Sequence, residues 1–323
     1  MIDIVTNTRK GACKPKLSVL IPSYKDDATP LLERLLTETN EVLNVEILMY
    51  DDGSGDATIN AELAAMCKNA ATPVSLFFAS VNKGRSVARN YLVENARADW
   101  VLFLDADMRP ETDDFLATYL DEIKKDKADI LFGGFTVPKE KQSRATELHR
   151  AFSQTSDCLD ARARTAKGPQ YVASSNLCVR KSVLTDEPFD TGFSGWGWED
   201  SEWAARVAKK YKLKHLDNPA LHLGLESTET LLSRFKTSGG NYIRFTWKHP
   251  ELAKSLTLFK MSQRLKSLPG QAMMRPFLAF TVRRSFMPIK LRLLALKLWR
   301  ASWYAQAFKT SAKLTNAFVT EAL

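Results

Sequence analysis

The chain contains 323 residues, of which 45% are apolar, with 46 Lys or Arg, 37 Asp or Glu and a net charge of +9. This composition suits one large globular domain, or a domain with an appendage, and excludes disordered and collagen-like chains. Residues 251–323 contain 13 Lys or Arg and two acidic residues, a net charge of +11, whereas residues 1–250 carry a net charge of −2. A near-neutral body with a cationic C-terminal segment predicts a soluble domain that docks on an anionic partner.

The cysteines and the N-terminus indicate the cellular compartment. Cys13, Cys67, Cys158 and Cys178 are widely spaced and form no C-x-x-C pair, so free thiols in a reducing cytosol are expected. Residues 1–16 contain no apolar core of signal-peptide length, and no uncharged apolar run reaches the ~18 residues needed to span a bilayer. The sequence therefore predicts a cytoplasmic protein.

The first 135 residues alternate between two patterns. Short apolar runs predict buried strands at 17–22, 45–50, 74–78, 100–105 and 129–135. The segments between them have apolar residues at helical spacing, at 31–36, 61–67, 87–93 and 115–123. This alternation predicts an α/β fold with a mostly parallel sheet covered by helices on both faces. In such sheets ligands bind outside the carboxyl ends of the strands.

After residue 140 the pattern changes. A long polar stretch at 141–166 predicts a helix, residues 171–173 predict a further strand, and another helix is predicted from about Asp200. No internal repeat or low-complexity segment is present in the sequence. This second half is expected to form the other side of a site at the carboxyl ends of the strands, where a second substrate, the acceptor, would bind.

Polar groups follow the first two predicted strands. Pro22 ends the first strand, and Tyr24 offers a flat ring for a base, although an exposed aromatic residue here is more often incidental packing. The second strand ends in Asp51 and Asp52, whose carboxylates can accept hydrogen bonds from an imide N–H or from ribose hydroxyls. The alternative is an Asx turn in which Asp52 or Ser54 caps the next helix.

The segment NKGRSVARN at 82–90 begins a helix after the third strand. Backbone N–H groups near Gly84, with Lys83, Arg85 and Arg89 close by, form a suitable environment for a diphosphate or a carboxylate. In the alternative interpretation the arginines neutralise neighbouring aspartates, and this structural role is the one preferred for Arg89.

The fourth strand runs into Asp105 and Asp107, which project to the same side of an extended segment. Two such carboxylates repel one another unless a cation or a sugar hydroxyl lies between them. Mg²⁺ or Mn²⁺, held by oxygen ligands and bridging a substrate diphosphate, meets that requirement. The pattern D-x-D alone is common by chance. Its position at the end of a predicted buried strand is the observation that supports a metal site.

The most specific segment is GFSGWGWEDSEW at 192–203. Glycines around Trp196 and Trp198 predict a mobile, aromatic-walled loop suited to the apolar faces of sugars. Glu199 and Asp200 then start a helix, where an acidic residue otherwise serves as a cap. Further along, His222 lies in a short extended stretch that is predicted to return to the sheet edge near Asp107.

Taken in order, LSVLIPSYK, YDDGSGD, NKGRSVARN, FLDADM and SGWGWEDSEW resemble the family-2 glycosyltransferases, inverting nucleotide-sugar enzymes of the GT-A fold. The resemblance covers about residues 16–225. It implies a donor half at about 16–140 and an acceptor half at about 141–250. Together with the charge distribution, this predicts a GT-A domain at 1–250 followed by a basic, apolar helical tail at 251–323.

The resemblance also implies roles for individual residues. Asp200 would be the catalytic base, with Glu199 beside it, and Asp107 and His222 would bind Mn²⁺ or Mg²⁺. The donor would be held by Pro22, Tyr24, Asp52, Lys83, Arg85 and Asp105. The acceptor and sugar pocket would be lined by Ser175, Asn176, Trp196 and Trp198. The segment around Ser175 is usually richer in glycine in this family, which leaves the identity of the sugar open.

The implied reaction is metal-dependent, inverting transfer of a sugar from a UDP-sugar to a hydroxyl of a glycan or lipid-linked acceptor, in cell-surface polysaccharide or glycolipid synthesis. The Q-x-x-R-W segment of processive synthases is missing, so single additions are expected. A nucleotidyltransferase would want a Gly/Arg-rich loop after the first strand, which residues 21–30 lack. The other alternative is a catalytically silent carbohydrate-binding or assembly subunit.

The tail at 252–323 mixes cations with large apolar side chains. Between 289 and 308 it is apolar on most sides of a helix, which predicts an interfacial helix on an anionic leaflet and peripheral attachment at the inner face of the cell membrane. The alternative is a helical hairpin packed on the catalytic domain or on another subunit. Nucleic acid is a weaker alternative, because no recognised binding module accompanies the charge.

Overall fold

The computed structural model describes residues 1–7, 13–39, 44–140 and 143–321, with side chains up to residue 311. Two compact units are present. The sheet unit comprises Met1–Pro138, Asp157–Thr191 and Trp203–Gly224, and the helical unit comprises Lys139–Ser156, Gly192–Glu202 and Leu225–Leu323. The division differs from the one predicted at residue 250, because segments from before that residue share a core with the tail.

The strands all lie in the sheet unit. Their bounds are β1 (Ile2–Thr6), β2 (Leu17–Ser23), β3 (Val45–Asp51), β4 (Val74–Ala79), β5 (Trp100–Leu104), β6 (Met108–Pro110), β7 (Ile130–Phe132), β8 (Phe135–Thr136), β9 (Asn176–Arg180), β10 (Leu213–His215) and β11 (Ala220–His222).

The helices are divided between the units. The sheet unit contains α1 (Thr29–Thr39), α2 (Ala57–Asn69), α3 (Arg85–Asn95), α4 (Phe115–Lys125), α6 (Ala161–Lys167), a 3₁₀ helix (Pro169–Tyr171) and α7 (Lys181–Asp186). The helical unit contains α5 (Glu147–Ser156), α9 (Thr228–Thr237), α10 (Gly239–Lys248), α11 (Pro250–Ser255), α12 (Thr257–Ser267), a 3₁₀ helix (Gln271–Met274), α13 (Arg275–Arg283) and α14 (Ile289–Glu321). Helix α8 (Glu199–Val207) begins in the helical unit and ends in the sheet unit.

Within the described residues the main sheet has eight strands in the order β1-β4-β3-β2-β5-β9-β7-β10. Its centre, from β4 to β5, is parallel, whereas β1 and β9 run antiparallel to their neighbours. A second sheet of three short strands has the order β6-β11-β8. The carboxyl ends of β2, β3 and β5 therefore meet at one edge of the main sheet, which is the place where the fold class predicts a ligand.

The five strands predicted for the first 135 residues are confirmed, with small changes of boundary. Strand β3 is buried along its whole length, including Glu46, whose carboxylate pairs with Arg97 at 2.6 Å. The last predicted strand, 129–135, is shorter than expected. It ends at Phe132 because Gly133 and Gly134 follow, and Gly134 has a φ of 79°, outside the strand region.

Other sequence predictions differ from the structure. The strand predicted at 171–173 is wrong: Pro169 starts a 3₁₀ turn there, and the strand is β9, which pairs with both β5 and β7. The helix predicted at 141–166 is two helices, α5 and α6, because the Asp160 carboxylate caps α6 at the backbone N–H of Ala163. Lys141 and Gln142 of that prediction lie outside the described residues. Strand β1 was not predicted.

The helical unit has its own apolar core. Tail residues pack there with side chains from earlier in the chain, and the buried members of the core are Leu148, Leu231, Leu232, Phe235, Ala279, Val282, Leu293, Ala295, Leu296 and Trp299. The predicted helical tail is therefore confirmed as helical, and its inner face forms part of a folded core. No helix among the described residues is long and apolar enough to cross a membrane.

Candidate functional site

We call the carboxyl ends of β2, β3 and β5, with the residues that follow them, the donor edge. Pro22 does not end β2 as predicted, because the strand continues to Ser23 with Pro22 opposite Tyr50 of β3. Tyr24 follows the strand and is 42% exposed. The Lys25 ammonium lies 5.1 Å from the centre of the Tyr24 ring. The backbone N–H of Lys25 donates to Ser54 Oγ at 2.6 Å, which joins this loop to the loop after β3. Tyr24 therefore presents an accessible aromatic face at the donor edge.

Two buried carboxylates follow each other at the end of β3. Asp51 accepts from the Ser54 backbone N–H at 3.1 Å and closes the turn. Asp52 accepts from the backbone N–H groups of Lys83 and Gly84, each at 2.8 Å. Burial raises the pKa of Asp52, and the two N–H groups oppose that shift. Neither Asp52 nor Ser54 caps helix α2, because its N-cap is Asp56.

Helix α3 places cations close to these carboxylates. It begins after Gly84, whose φ of 95° only glycine adopts readily, and it carries the half-buried Arg85 in its first turn. Lys83, just before the helix, is exposed. Both cations therefore lie where the sequence placed them, at the start of a helix on the donor edge.

Asp105 follows the last residue of β5. Its Oδ1 lies 3.5 Å from Nη2 of Arg89, whose side chain is only 3% exposed. Burial raises the pKa of Asp105, Arg89 opposes the shift, Asp107 adds to it, and Arg85 opposes it further. Arg89 thus has the neutralising role that the sequence favoured.

Asp107 and His222 are brought together by strand pairing. Strand β11 runs antiparallel to β6, with His222 opposite Met108, and His222 Nε2 lies 3.1 Å from Asp107 Oδ2. The Leu223 backbone N–H donates to the Asp107 carbonyl oxygen at 2.9 Å. A methyl group on Gly224 would overlap the Asp107 carboxylate, so only glycine leaves it in place. The predicted return of His222 to the vicinity of Asp107 is confirmed.

This pair fits a divalent cation that takes its other ligands from a donor. Imidazole and carboxylate are both suitable ligands for Mn²⁺, and a carboxylate alone suits Mg²⁺. Across the described residues, no group of three or more His, Cys, Asp or Glu side chains is arranged to hold a metal ion. A cation held by Asp107 and His222 would therefore need oxygens from a diphosphate or from water.

Asn176 does not match the pocket-lining role that the resemblance implied. Its side chain is fully buried: Oδ1 accepts from Tyr119 Oη at 2.7 Å, and Nδ2 donates to the carbonyl oxygens of Gly134 and Asn218 at 2.7 and 2.8 Å. These bonds use both polar atoms of the amide. Asn176 begins β9, which lies between β5 and β7, so its side chain is enclosed by neighbouring elements. Ser175, just before the strand, is half-buried.

We call residues Gly192–Glu202 the base loop. Two glycines in it, Gly195 and Gly197, have φ values of 71° and 87°, and Trp198 has a φ of 78°, which is rare for a residue with a side chain. The Asn241 amide donates to the carbonyl oxygens of Ser194 and Gly197 at 2.9 and 3.0 Å. Helix α10 therefore holds the backbone of this loop.

The two tryptophans of the base loop pack inward, which differs from the predicted aromatic wall of a mobile loop. The Trp198 ring lies 4.5 Å from Tyr242 and 4.9 Å from Phe245, between ring centres, and its Nε1 donates to Tyr304 Oη at 3.0 Å. The ring of Trp196 lies 5.6 Å from that of Phe235. Both indoles are half-buried in these contacts, and the N–H of Trp198 finds its partner within the helical unit.

Helix α14 adds a cation to this cluster. The Arg300 guanidinium lies 5.2 Å from the Trp198 ring centre, and its Nε donates to Tyr304 Oη at 3.1 Å. Ser238 Oγ also bonds that hydroxyl, at 2.7 Å. Sequence reasoning missed Tyr304 and Arg300 as contributors to the site. The interfacial pattern of the tail suggested an exposed role for them, and no local motif links them to Trp198.

The carboxylates of the base loop differ in exposure. Glu199 is 3% exposed and Glu202 is fully buried, whereas Asp200 is half-buried. Glu202 Oε1 lies 3.4 Å from both His249 Nε2 and Lys248 Nζ, a charged cluster that the sequence did not reveal. All three acids lie in the first turn of α8, where the helix dipole favours negative charge. Of the three, Asp200 is the most accessible.

Comparison with known proteins defines the class. The sequence model described as glycosyl transferase family 2 matches residues 18–186, so the chain belongs to this family. A curated relative, an uncharacterized glycosyltransferase of Haemophilus influenzae, is 33% identical over 112 residues, which are 34% of this chain and 40% of the relative. Another, the uncharacterized glycosyltransferase YibD of Escherichia coli, is 40% identical over 94 residues, which are 28% of this chain and 26% of the relative. The matches thus span less than half of these relatives.

Solved structures establish the fold. Mannosyltransferase PcManGT from Pyrobaculum calidifontis, in complex with GDP-Man and Mn²⁺, has a TM-score of 0.55 at 16% identity, over 91% of this chain and 88% of that one. S. aureus TarS (1-349) in complex with UDP has a TM-score of 0.51 at 15% identity, over 92% and 91% of the two chains. The expected GT-A fold is therefore confirmed.

Proposed function

We propose that this protein transfers a sugar from a UDP-sugar, with Mn²⁺ or Mg²⁺, to a hydroxyl group of a glycan or lipid-linked acceptor, inverting the anomeric centre in single additions. The observation that carries the proposal is the pair formed by Asp107 Oδ2 and His222 Nε2, 3.1 Å apart at the donor edge. Family membership supports the reaction class, and the structures of PcManGT with GDP-Man and Mn²⁺ and of TarS with UDP support a nucleotide-linked donor.

In this proposal the donor edge binds the nucleotide. The exposed ring of Tyr24 stacks on the base, and Asp105 accepts a hydrogen bond from the nucleoside. Asp52 holds the start of α3 through backbone N–H groups, so that Lys83 and Arg85 face the diphosphate. A cation held by Asp107 and His222 would neutralise the charge that develops on the diphosphate leaving group.

The acceptor hydroxyl must lose its proton to a base as it attacks. Asp200 suits this role because it is more accessible than Glu199 or Glu202. Glu199, buried beside it at the start of α8, would keep the local field negative. One displacement by the activated hydroxyl inverts the anomeric carbon. We further propose that the acceptor belongs to cell-surface polysaccharide or glycolipid synthesis and lies at the inner face of the cell membrane.

Isothermal titration calorimetry with UDP and with GDP, in Mn²⁺ and in EDTA, tests the donor site. We expect UDP to bind in Mn²⁺ and to bind much more weakly in EDTA. Asp107→Ala should abolish the metal-dependent part, and His222→Ala should weaken it less, since water can replace one neutral ligand. Asp121→Ala, which removes an exposed carboxylate on α4, is the matched control and should bind like the wild type.

Each alternative has a distinct outcome. Equal UDP affinity in the wild type and in Asp107→Ala, at sub-saturating Mn²⁺, would overturn the metal assignment. Preference for GDP would overturn the UDP assignment. Release of pyrophosphate from a nucleoside triphosphate and a sugar phosphate would identify a nucleotidyltransferase. Binding of oligosaccharides without any nucleotide binding would identify a carbohydrate-binding subunit.

A further inference from the structure

The helical unit exposes a group of large apolar side chains in one stretch of the tail. We call this group the outer tail patch; its members are Met273, Phe277, Phe280, Phe286, Leu291 and Leu294. Phe277 is 76% exposed and Phe286 is 75% exposed. Isolated exposed apolar residues are ordinary, but six large ones between residues 273 and 294 form a concentration that marks an interaction surface.

The fold separates this patch from the apolar residues that stabilise the unit. On α13, Ala279 and Val282 face the core while Phe277 and Phe280, one turn apart, face outward. On α14, Leu293 and Leu296 face the core while Leu291 and Leu294 are exposed. Trp299 and Tyr304 are buried, so they do not belong to the exposed face of α14.

Cations accompany the patch. The Arg284 guanidinium lies 4.4 Å from the centre of the Phe280 ring, and Lys290 and Lys297 are exposed one turn to either side of Leu294. No acidic residue occurs in the sequence from 252 to 320. Glu229 of α9 pairs with Arg283, the residue before Arg284, and Glu147 of α5 pairs with Arg292. Protruding aromatic rings beside Arg284, Lys290 and Lys297 suit a surface that combines an apolar interior with negatively charged groups at its boundary with water.

We propose that the outer tail patch inserts into the headgroup region of an anionic lipid leaflet, with its rings among the acyl chains and Arg284, Lys290 and Lys297 at the phosphates. The proposal deepens the proposed function, on which it rests for a lipid-borne acceptor. A second copy of the chain fits the patch less well, because self-association would bring two cationic surfaces together at low ionic strength.

Vesicle co-sedimentation of the full-length protein, without nucleotide, tests the insertion. We expect binding to vesicles of phosphatidylcholine and phosphatidylglycerol in equal parts, and at least tenfold weaker binding to phosphatidylcholine alone. Binding should fall as NaCl rises from about 0.1 to about 0.5 M, since the screening length drops from about 10 Å to below about 5 Å.

Two variants separate the apolar contribution from the charge. Phe277→Ser with Phe286→Ser should weaken binding to anionic vesicles at least tenfold, and Lys290→Glu with Lys297→Glu should weaken it and reduce its salt dependence. The matched controls are Trp247→Ser, which removes an aromatic ring that is 66% exposed elsewhere in the helical unit, and Lys209→Glu, which reverses an exposed charge in the sheet unit. Both controls should bind like the wild type.

The outcomes distinguish the two proposals. Loss of vesicle binding in Trp247→Ser equal to that in the double Phe variant, or equal binding to neutral and anionic vesicles, would overturn the insertion. Light scattering that shows a dimer converted to monomer by Phe277→Ser with Phe286→Ser would identify the patch as an interface between copies. If the protein does not bind UDP but binds vesicles as expected, the proposed donor is wrong, while the proposed insertion of the outer tail patch is supported.

Discussion

The donor edge and the base loop are positioned by different means. At the donor edge, backbone hydrogen bonds position the side chains. Pairing of β6 with β11 brings Asp107 next to His222, and Asp52 accepts from two backbone N–H groups. In the base loop, side-chain contacts position the residues: the Trp198 indole N–H donates to Tyr304, which lies 106 residues further along the chain. A pair positioned by a strand ladder is disturbed by changes that crowd the backbone beside it, whereas a loop held by side chains is disturbed by the loss of a single contact.

The largest effect is expected where the base loop meets the acceptor. Asp200→Asn should lower turnover by roughly 10²-fold or more, because the variant lacks the general base that we propose for the acceptor hydroxyl. Donor affinity should be unchanged, since the donor motifs belong to the sheet unit. Steady-state kinetics with the acceptor, together with UDP calorimetry, checks both. Near-wild-type turnover would show that Asp200 only caps α8.

The donor edge can be disturbed from one backbone position. Gly224→Ala should weaken UDP binding in Mn²⁺ by about tenfold, because the new methyl group displaces the Asp107 carboxylate from His222. Calorimetry in Mn²⁺ and in EDTA measures the loss, which should be confined to Mn²⁺. Gly240→Ala is the control, since a methyl group there meets open space. If both variants bind UDP equally well, the ladder does not hold the pair in its working position.

A smaller effect is expected from one hydroxyl in the helical unit. Tyr304→Phe removes the acceptor of the Trp198 indole N–H and should cost about 1 kcal/mol of loop stability. Turnover should fall by at most about fivefold with donor affinity unchanged, because a barrier higher by about 1 kcal/mol slows a reaction by that factor. Tyr211→Phe, which loses a similar bond to Asp186 in the sheet unit, is the control and should keep its turnover. Equal turnover in both variants would mean that the base loop does not need the tail.

Much of the donor edge could be predicted from sequence. Asp105 and Asp107 follow an apolar run that predicts a buried strand, and Lys83 and Arg85 flank a glycine at the start of a helix. The return of His222 was also predicted, from an extended stretch after a proline. These features depend on residues close together in the chain and on the rule that parallel strands end at one edge.

The sequence by itself determined the alternation of strands and helices, the family, and the helical nature of the tail. Only the tertiary structure decided that Asn176 is buried in the sheet, that Trp196 and Trp198 pack against rings of the helical unit, and that Tyr304 is buried while Phe277 is exposed. The sequence of the tail shows which residues are apolar but does not show which of them are buried. Which apolar residue is buried depends on the partner that reaches it, and in the helical unit those partners come from segments far apart in the chain.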